Sequence, residues 1–249
     1  MSKHIAGSTA FVTGSNRGIG FAIAEALLER GARRVYAAAR RPESLQSLVE
    51  RWGDRVVPVA LDVTDAEQVA AAAAIAGDVD LLVNNAGVAG EMGGSILDEG
   101  ALETARWEME VNYFGLLQVS RALAPALQAN APGAVVNIAS VAGLVNFPFA
   151  ATYSVSKAAA HSTSQALRVA LGDGVRVSAV YPGPVDTDMA ADVPMEKTSA
   201  AEVAHAILDG VERGDEEIFP DPMSAQMGAA YGDAPKAMER NVVAMAAAG

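Results

Sequence analysis

Short apolar runs rich in valine, alanine and leucine recur along the chain, separated by longer alanine- and leucine-rich stretches. The runs fall at residues 8–13, 34–39, 55–61, 80–84, 133–139 and 175–180. The intervening segments, about 18–30, 42–52, 65–76, 99–129, 151–171 and 199–213, have helical length and composition. Pro42, Thr64 or Asp65, and Thr198 or Ser199 are their natural starts. This alternation predicts an α/β chain of βα units around a parallel sheet. Beyond residue 216 the pattern weakens. EEIF (216–219) reads as an edge strand, 220–233 has no clean period, and about 235–247 reads as helix again. With no linker-like stretch and no repeat, one domain over 1–249 is expected, its last part, about 184–249, serving as substrate loop and C-terminal segment.

Composition narrows the function. The chain is 51% hydrophobic and 19% charged, which excludes a disordered or fibrous protein. Thirty acidic against 18 basic side chains leave a net charge of −12, unfavourable for nucleic acid, anionic lipid or acidic carrier proteins. There is no cysteine, and His4, His161 and His205 do not cluster, so no metal site is expected. The apolar part of the N-terminal stretch is too short for a signal peptide. No run reaches the roughly 20 apolar residues that span a bilayer, so a cytoplasmic protein without membrane contact is expected.

The first strand is followed at once by Thr13-Gly14-Ser15-Asn16-Arg17-Gly18-Ile19-Gly20 and then by a helical segment. Glycines at such a turn let backbone approach a pyrophosphate, while the helix N-terminus offers unpaired N–H groups and positive partial charge. Placement after strand one of a βαβ pattern is the context a dinucleotide site requires, and it makes the fold Rossmann-type. In that fold an acidic residue ending strand two accepts the ribose 2′-hydroxyl of NAD. Here the strand ends Ala37-Ala38-Ala39-Arg40-Arg41, and Arg17 offers a second cation from the glycine loop. Arginines at these places suit a 2′-phosphate, so NADP(H) is expected over NAD(H).

Tyr153 and Lys157 lie four residues apart on one helix face. A phenol is a poor base at neutral pH, but a neighbouring ammonium and an oxidised nicotinamide would draw its pKa toward the working range. Ser140 ends a strand, where open α/β sheets place ligand-binding residues.

Taken in order, these features make the chain resemble the short-chain dehydrogenase/reductase family. The resemblance runs from about 8 to 189. It rests on the TGxxxGIG loop, Asp62 in LDVT, NNAG at 84–87, Asn112 in VNYFG, Ser140, Tyr153-x-x-x-Lys157 and PGPVDT at 182–187. It implies one doubly wound parallel sheet of Rossmann type with helices on both faces, and a catalytic group of Asn112, Ser140, Tyr153 and Lys157. Tyr153 would protonate the carbonyl oxygen and Ser140 would hydrogen-bond it. Lys157 would bind the nicotinamide ribose and lower the Tyr153 pKa, and Asn112 would hold a water leading to Lys157. Asp62 and Val63 would contact the adenine. Asn84, Ala86 and Gly87 would line the cofactor, and Pro182, Val185 and Thr187 would flank the nicotinamide.

The chain departs from the family in two ways. EEIFPDPMSAQM replaces a glycine-flanked Val-Asp-Gly-Gly strand, so the family's tetramer contacts do not carry over; a homo-oligomer fits the sequence, but its order is open. The loop after Thr187 reaches the next helix by about Ser199, leaving room for only a short substrate cover. The intact Ser140, Tyr153, Lys157 and Asn112 set argues against a noncatalytic NADPH-sensing scaffold. A serine hydrolase would need a Gly-x-Ser-x-Gly elbow, and Ser140 sits in Ile-Ala-Ser-Val-Ala. Related epimerases and dehydratases usually carry a differently spaced glycine loop. Segments 88–94, 141–149 and 184–195 are mostly apolar, with Met92, Phe147, Phe149, Met189 and Met195 as wall candidates. They suit a small to medium apolar ketone or aldehyde, or the matching alcohol. In the tail Met223, Met227 and Tyr231 could add an apolar wall, and His161 continues the Tyr153–Lys157 series.

Overall fold

The computed structural model describes residues 3–90, 93–191 and 195–247. Six main strands run as expected: β1 (Thr9–Thr13), β2 (Arg34–Ala39), β3 (Val56–Ala60), β4 (Leu81–Asn84), β5 (Gly133–Ile138) and β6 (Val175–Val180). Two short strands, β7 (Val185–Asp186) and β8 (Thr198–Ser199), pair with each other, and β9 (Glu217–Ile218) joins the main sheet beside β6. That sheet is parallel throughout, in the order β3-β2-β1-β4-β5-β6-β9. The order reverses between β1 and β4, and the carboxyl ends flanking such a switch point are where this architecture binds ligands.

Each strand feeds two cores, because successive side chains point to opposite faces. Ala10 and Val12 of β1, with Val35, Ala37 and Ala39 of β2, pack with Ile23 and Leu27 of α1 (Gly18–Glu29), Leu48 of α2 (Gln46–Trp52) and Val203 and Ile207 of α7 (Ala200–Arg213). Phe11, Tyr36 and Ala38 point the other way. They join Val69 of α3 (Ala66–Ile75), Leu123 of α5 (Leu116–Ala129) and Leu167 of α6 (Ala151–Leu171). The helix starts follow the side chains available. Asp65 caps α3 through the N–H groups of Glu67 and Gln68, and Ser199 with Glu202 forms a capping box on α7.

Two expectations need correcting. The single helix read over 99–129 is α4 (Ala101–Met109), a π-helical turn at Glu110–Gly115, and then α5. Gly115 explains the close packing at that turn: a Cβ there would lie 2.5 Å from Val63 Cγ2. The region without a clean period is largely helix, α8 (Pro222–Asp233), followed by α9 (Pro235–Ala247). Asp221 and Pro222 provide its N-cap and first position. Gly228, which blurs the pattern, is where the Phe219 ring packs, 2.6 Å from where a Cβ would be. Among the described residues no helix is long and apolar enough to cross a membrane, and no group of three or more His, Cys, Asp or Glu could hold a metal ion.

Candidate active site

The glycine turn is built on its neighbour. Gly14 and Gly18 have φ of +66° and +56°, a left-handed backbone that favours glycine. Beneath them Asn85 Nδ2 donates to the carbonyls of Thr13 and Gly14, at 2.9 and 3.1 Å. Thr13 Oγ1 accepts from the N–H groups of Asn85 and Ala86, both at 2.9 Å. A Cβ at Gly20 would sit 2.3 Å from both Asn85 Nδ2 and the Gly14 carbonyl. The close seating of the 84–87 loop under the turn therefore needs glycine there and frees the start of α1 to face the cleft.

That cleft has a volume of about 980 Å³ and runs from the glycine turn to the ends of β5 and β6. Gly14, Asn16, Arg17, Gly18 and Ile19 line one end with Arg40, Asp62 and Val63; Asn85, Ala86 and Gly87 line its floor. Ser140, Tyr153 and Lys157 meet at the other end with Pro182, Val185 and Thr187. Phe147, Phe149, Met189, Met195 and Met223 form apolar walls there. Met92 lies outside the described residues, and Met227 and Tyr231 pack against the core instead of lining the cleft.

Four expected site residues stand behind the wall. Ser15 is fully buried, its hydroxyl donating to the Val12 carbonyl and its N–H to that of Ala38. Gly20 packs under the turn as described. Asn84 belongs to a buried polar ladder: its Nδ2 donates to Ser120 Oγ and Asn137 Oδ1, and Asn137 Nδ2 donates to Ser164 Oγ. It faces the core because the alternation along β4 turns Asn85, not Asn84, to the cleft. Asn112, on the π turn, is 2% exposed and clamps Val88 through both its N–H and its carbonyl, each at 2.8 Å. Its other amide hydrogen goes to Ser156 Oγ. Both amide hydrogens are thus spent on protein, and only Oδ1 has capacity left for a water. A Cβ at Gly87 would lie 3.2 Å from Asn112 Oδ1 and 3.4 Å from Lys157 Nζ, so glycine holds open the gap between them.

At the reactive end, Ser140 Oγ accepts from the Ala142 N–H at 3.1 Å and lies 3.5 Å from the Pro182 carbonyl. Lys157 Nζ donates to the Ile138 carbonyl at 2.8 Å and lies 5.6 Å from the Tyr153 ring centre. Burial pushes the Tyr153 phenol up to about 12, opposed by its hydrogen bond with Ser140. Burial lowers Lys157 to about 8. In the protein alone the phenol is therefore held protonated, because desolvation is the largest influence on it. His161 turns away from this group, its Nδ1 lying 2.6 Å from the Tyr181 hydroxyl. Sequence reasoning missed Ser44, Trp107 and Glu110 among the lining residues; Trp107 and Glu110 precede Asn112 by five and two residues, a signal the disrupted helix period hid.

Arg17 reaches across the mouth to Asp188, 2.7 Å away, with both side chains exposed. The residues present suit a nicotinamide dinucleotide: two left-handed glycines, a helix start open to the cleft, and no acid at the end of β2.

Comparison with known proteins agrees. The family described as short chain dehydrogenase matches residues 8–198. A short chain dehydrogenase from Burkholderia cenocepacia, solved with NADP, is 42% identical with a TM-score of 0.90, covering 96% of this chain and 99% of that one. A short chain dehydrogenase/reductase from Burkholderia phymatum, solved with NAD, is 28% identical with a TM-score of 0.80, covering 93% and 95%. The 2-(R)-hydroxypropyl-CoM dehydrogenase of Xanthobacter autotrophicus is 35% identical over 223 residues, 80% of this chain and 89% of the relative. A parallel sheet switched between β1 and β4, a cleft joining a glycine turn to a Ser-Tyr-Lys group, and a family match across most of its length place this chain in the short chain dehydrogenase family of oxidoreductases.

Proposed function

We propose that this protein is an NADPH-dependent carbonyl reductase whose substrate is a small to medium apolar ketone or aldehyde, with the matching alcohol as substrate of the reverse reaction. The observation that carries this reading is the cleft, in which Ser140, Tyr153 and Lys157 share one end with Phe147, Phe149, Met189, Met195 and Met223. No basic side chain lines that end apart from Lys157 among the described residues, which disfavours a phosphorylated or carboxylated substrate.

The cofactor, when bound, supplies the hydride. Tyr153 gives its proton to the carbonyl oxygen as the carbonyl carbon is reduced, and Ser140 hydrogen-bonds the same oxygen. The phenolate left on Tyr153 is stabilised by the Lys157 ammonium, which also holds the nicotinamide ribose. Asn112 braces Val88 and α6 around this group. Burial keeps the phenol protonated, the state from which it can give a proton.

At the other end Arg40, with Arg17, holds the 2′-phosphate. The Arg17–Asp188 pair is exposed, a class of ion pair worth about 0–1 kcal/mol, so a phosphate can displace the carboxylate. The NADP-bound relative supports this preference, and the NAD-bound one makes Arg40 the residue to test. Arg40→Asp is expected to lower the NADPH/NADH ratio of kcat/KM by about 10- to 100-fold, the range of one charge-assisted hydrogen bond replaced by repulsion. An unchanged ratio would mean the phosphate is held elsewhere. The proposal as a whole is tested by following NADPH and NADH oxidation by purified protein across a panel of apolar ketones, aldehydes and diketones. NADPH-preferring turnover supports it, whereas cofactor binding without turnover on every compound counts against it.

A further inference from the structure

Asp221 is 6% exposed and stands between two elements of the cleft. Its Oδ1 accepts from the Ser224 N–H at 2.8 Å, which caps α8. Its Oδ2 accepts from the Gly183 N–H, also at 2.8 Å, 38 residues away in sequence. Capping alone needs one oxygen, and a serine or threonine would supply it. The second oxygen is spent outside the helix, on the segment that lines the reactive end. The Pro182–Gly183 peptide is thereby held from both sides: its N–H by Asp221, and its carbonyl by the Val141 N–H at 3.2 Å, with Ser140 Oγ 3.5 Å away. Gly183 fits the contact closely. A Cβ there would lie 2.8 Å from Asp221 Oδ1 and 3.5 Å from Met223 Cβ.

α8 is held in two ways. Around its middle, Phe219 seats on Gly228 and stacks on Tyr181 with ring centres 5.1 Å apart, while Met227 and Tyr231 pack against the core. These contacts fix the helix body by shape. The first turn, which carries Met223 to the cleft wall, is tied to the reactive end through Asp221. We propose that Asp221 is a positioning residue that sets substrate size: by joining the first turn of α8 to the Pro182–Gly183 peptide, it holds Met223 at the reactive end and limits the bulk a carbonyl substrate can carry beside Ser140 and Tyr153. The proposal rests on the reading of the protein as a reductase of apolar carbonyls. Methionine adapts its shape to what it packs on, so the wall it makes is only as definite as the backbone that presents it.

Two substitutions attack the contact from opposite sides. Asp221→Asn leaves one acceptor oxygen and turns an NH2 group toward the other N–H. Gly183→Ala wedges a methyl group against Asp221, and Gly183 has no positive φ, so backbone strain does not enter. Both let the first turn of α8 move outward. The readout is the ratio of kcat/KM for cyclohexyl methyl ketone to that for butanone, with NADPH. It is expected to rise about 5- to 20-fold in either variant, and to rise in Met223→Ala, where the wall itself is cut back. In a Met223→Ala background, adding Asp221→Asn should leave the ratio within about twofold, because the side chain it positions is gone. A role confined to capping α8 would lower thermal stability without moving the ratio. An unchanged ratio in Asp221→Asn therefore overturns the proposal, as does a full additional rise in the Met223→Ala background. If Asp221→Asn fails to fold, an unchanged ratio in Gly183→Ala is enough to overturn it. An enzyme with Tyr153-dependent turnover whose ratio ignores residue 221 refutes the sizing role alone, whereas a protein that turns over no ketone or aldehyde refutes the reductase reading and the sizing role with it.

Discussion

Tyr153→Phe is expected to lower turnover by about 10²- to 10⁴-fold while leaving NADPH affinity within a few-fold of the parent. Phenylalanine keeps the ring where it packs against the apolar core and removes only the hydroxyl beside Ser140. The fold loses no buried packing, and the Ile138 carbonyl keeps its bond from Lys157. Paired measurements check this: steady-state turnover on any carbonyl found in the panel, and cofactor titration by fluorescence. Near-normal turnover would remove Tyr153 from the acid role, and a large loss of cofactor affinity would recast it as a binding residue.

Lys157→Met should have the opposite profile, damaging cofactor binding and changing the response to pH while the protein stays folded. Lys157 is 5% exposed and its ammonium is already disfavoured by burial, so an unbranched apolar side chain of similar length fits the site. The Ile138 carbonyl loses its donor, a cost of about 1–3 kcal/mol, offset by no longer burying a cation. A charge-assisted hydrogen bond to the ribose is worth about 1.5–3 kcal/mol, so NADPH affinity should fall about 10- to 150-fold. The sign of the pH effect follows from the lowered pKa. The ammonium is populated below about 8 and lost above it, so parent affinity declines as pH rises through about 8, and this step is absent in Lys157→Met. Isothermal titration with NADPH at pH 6.5 and 9.5, with thermal melts alongside, tests both parts. If binding and its pH dependence are unaffected, Lys157 is a structural lysine serving Ile138.

Legibility followed local physics. The strands could be read because each is rich in valine, alanine and leucine and bounded by helical stretches, and the glycine turn because Gly14 and Gly18 must adopt left-handed backbone where the chain turns into α1. Ser140, Tyr153 and Lys157 could be read because a strand end and a four-residue helical spacing are enough to bring such groups together. What stayed hidden depends on which way a side chain faces or on a break in period. Asn84 and Asn85 are chemically identical neighbours, and only strand alternation decides that one enters the ladder with Ser120 and Asn137 while the other bolts down the glycine turn. The π turn at Glu110–Gly115 shifts helix phase, which concealed Trp107 and Glu110. α8 was obscured by Gly228, a residue chosen for the Phe219 ring at a cost in helix propensity.

The amide ladder has a consequence for how this protein tolerates change. Asn84 and Asn137 are direct partners across β4 and β5, and the bond between their side chains exists only at that alignment. Slipping one strand by a single residue would break it and bury unpaired amides, so the pair acts as a register pin, much as one buried asparagine fixes the alignment of a coiled coil. The loops that meet across the cleft leave the sheet immediately above this pin, Gly87 three residues after Asn84 and Ser140 three after Asn137. The spacing of the reactive groups is thereby inherited from strand alignment, and the segments farther out, around 93–100 and 188–191, are free to diverge in length and sequence without displacing the chemistry.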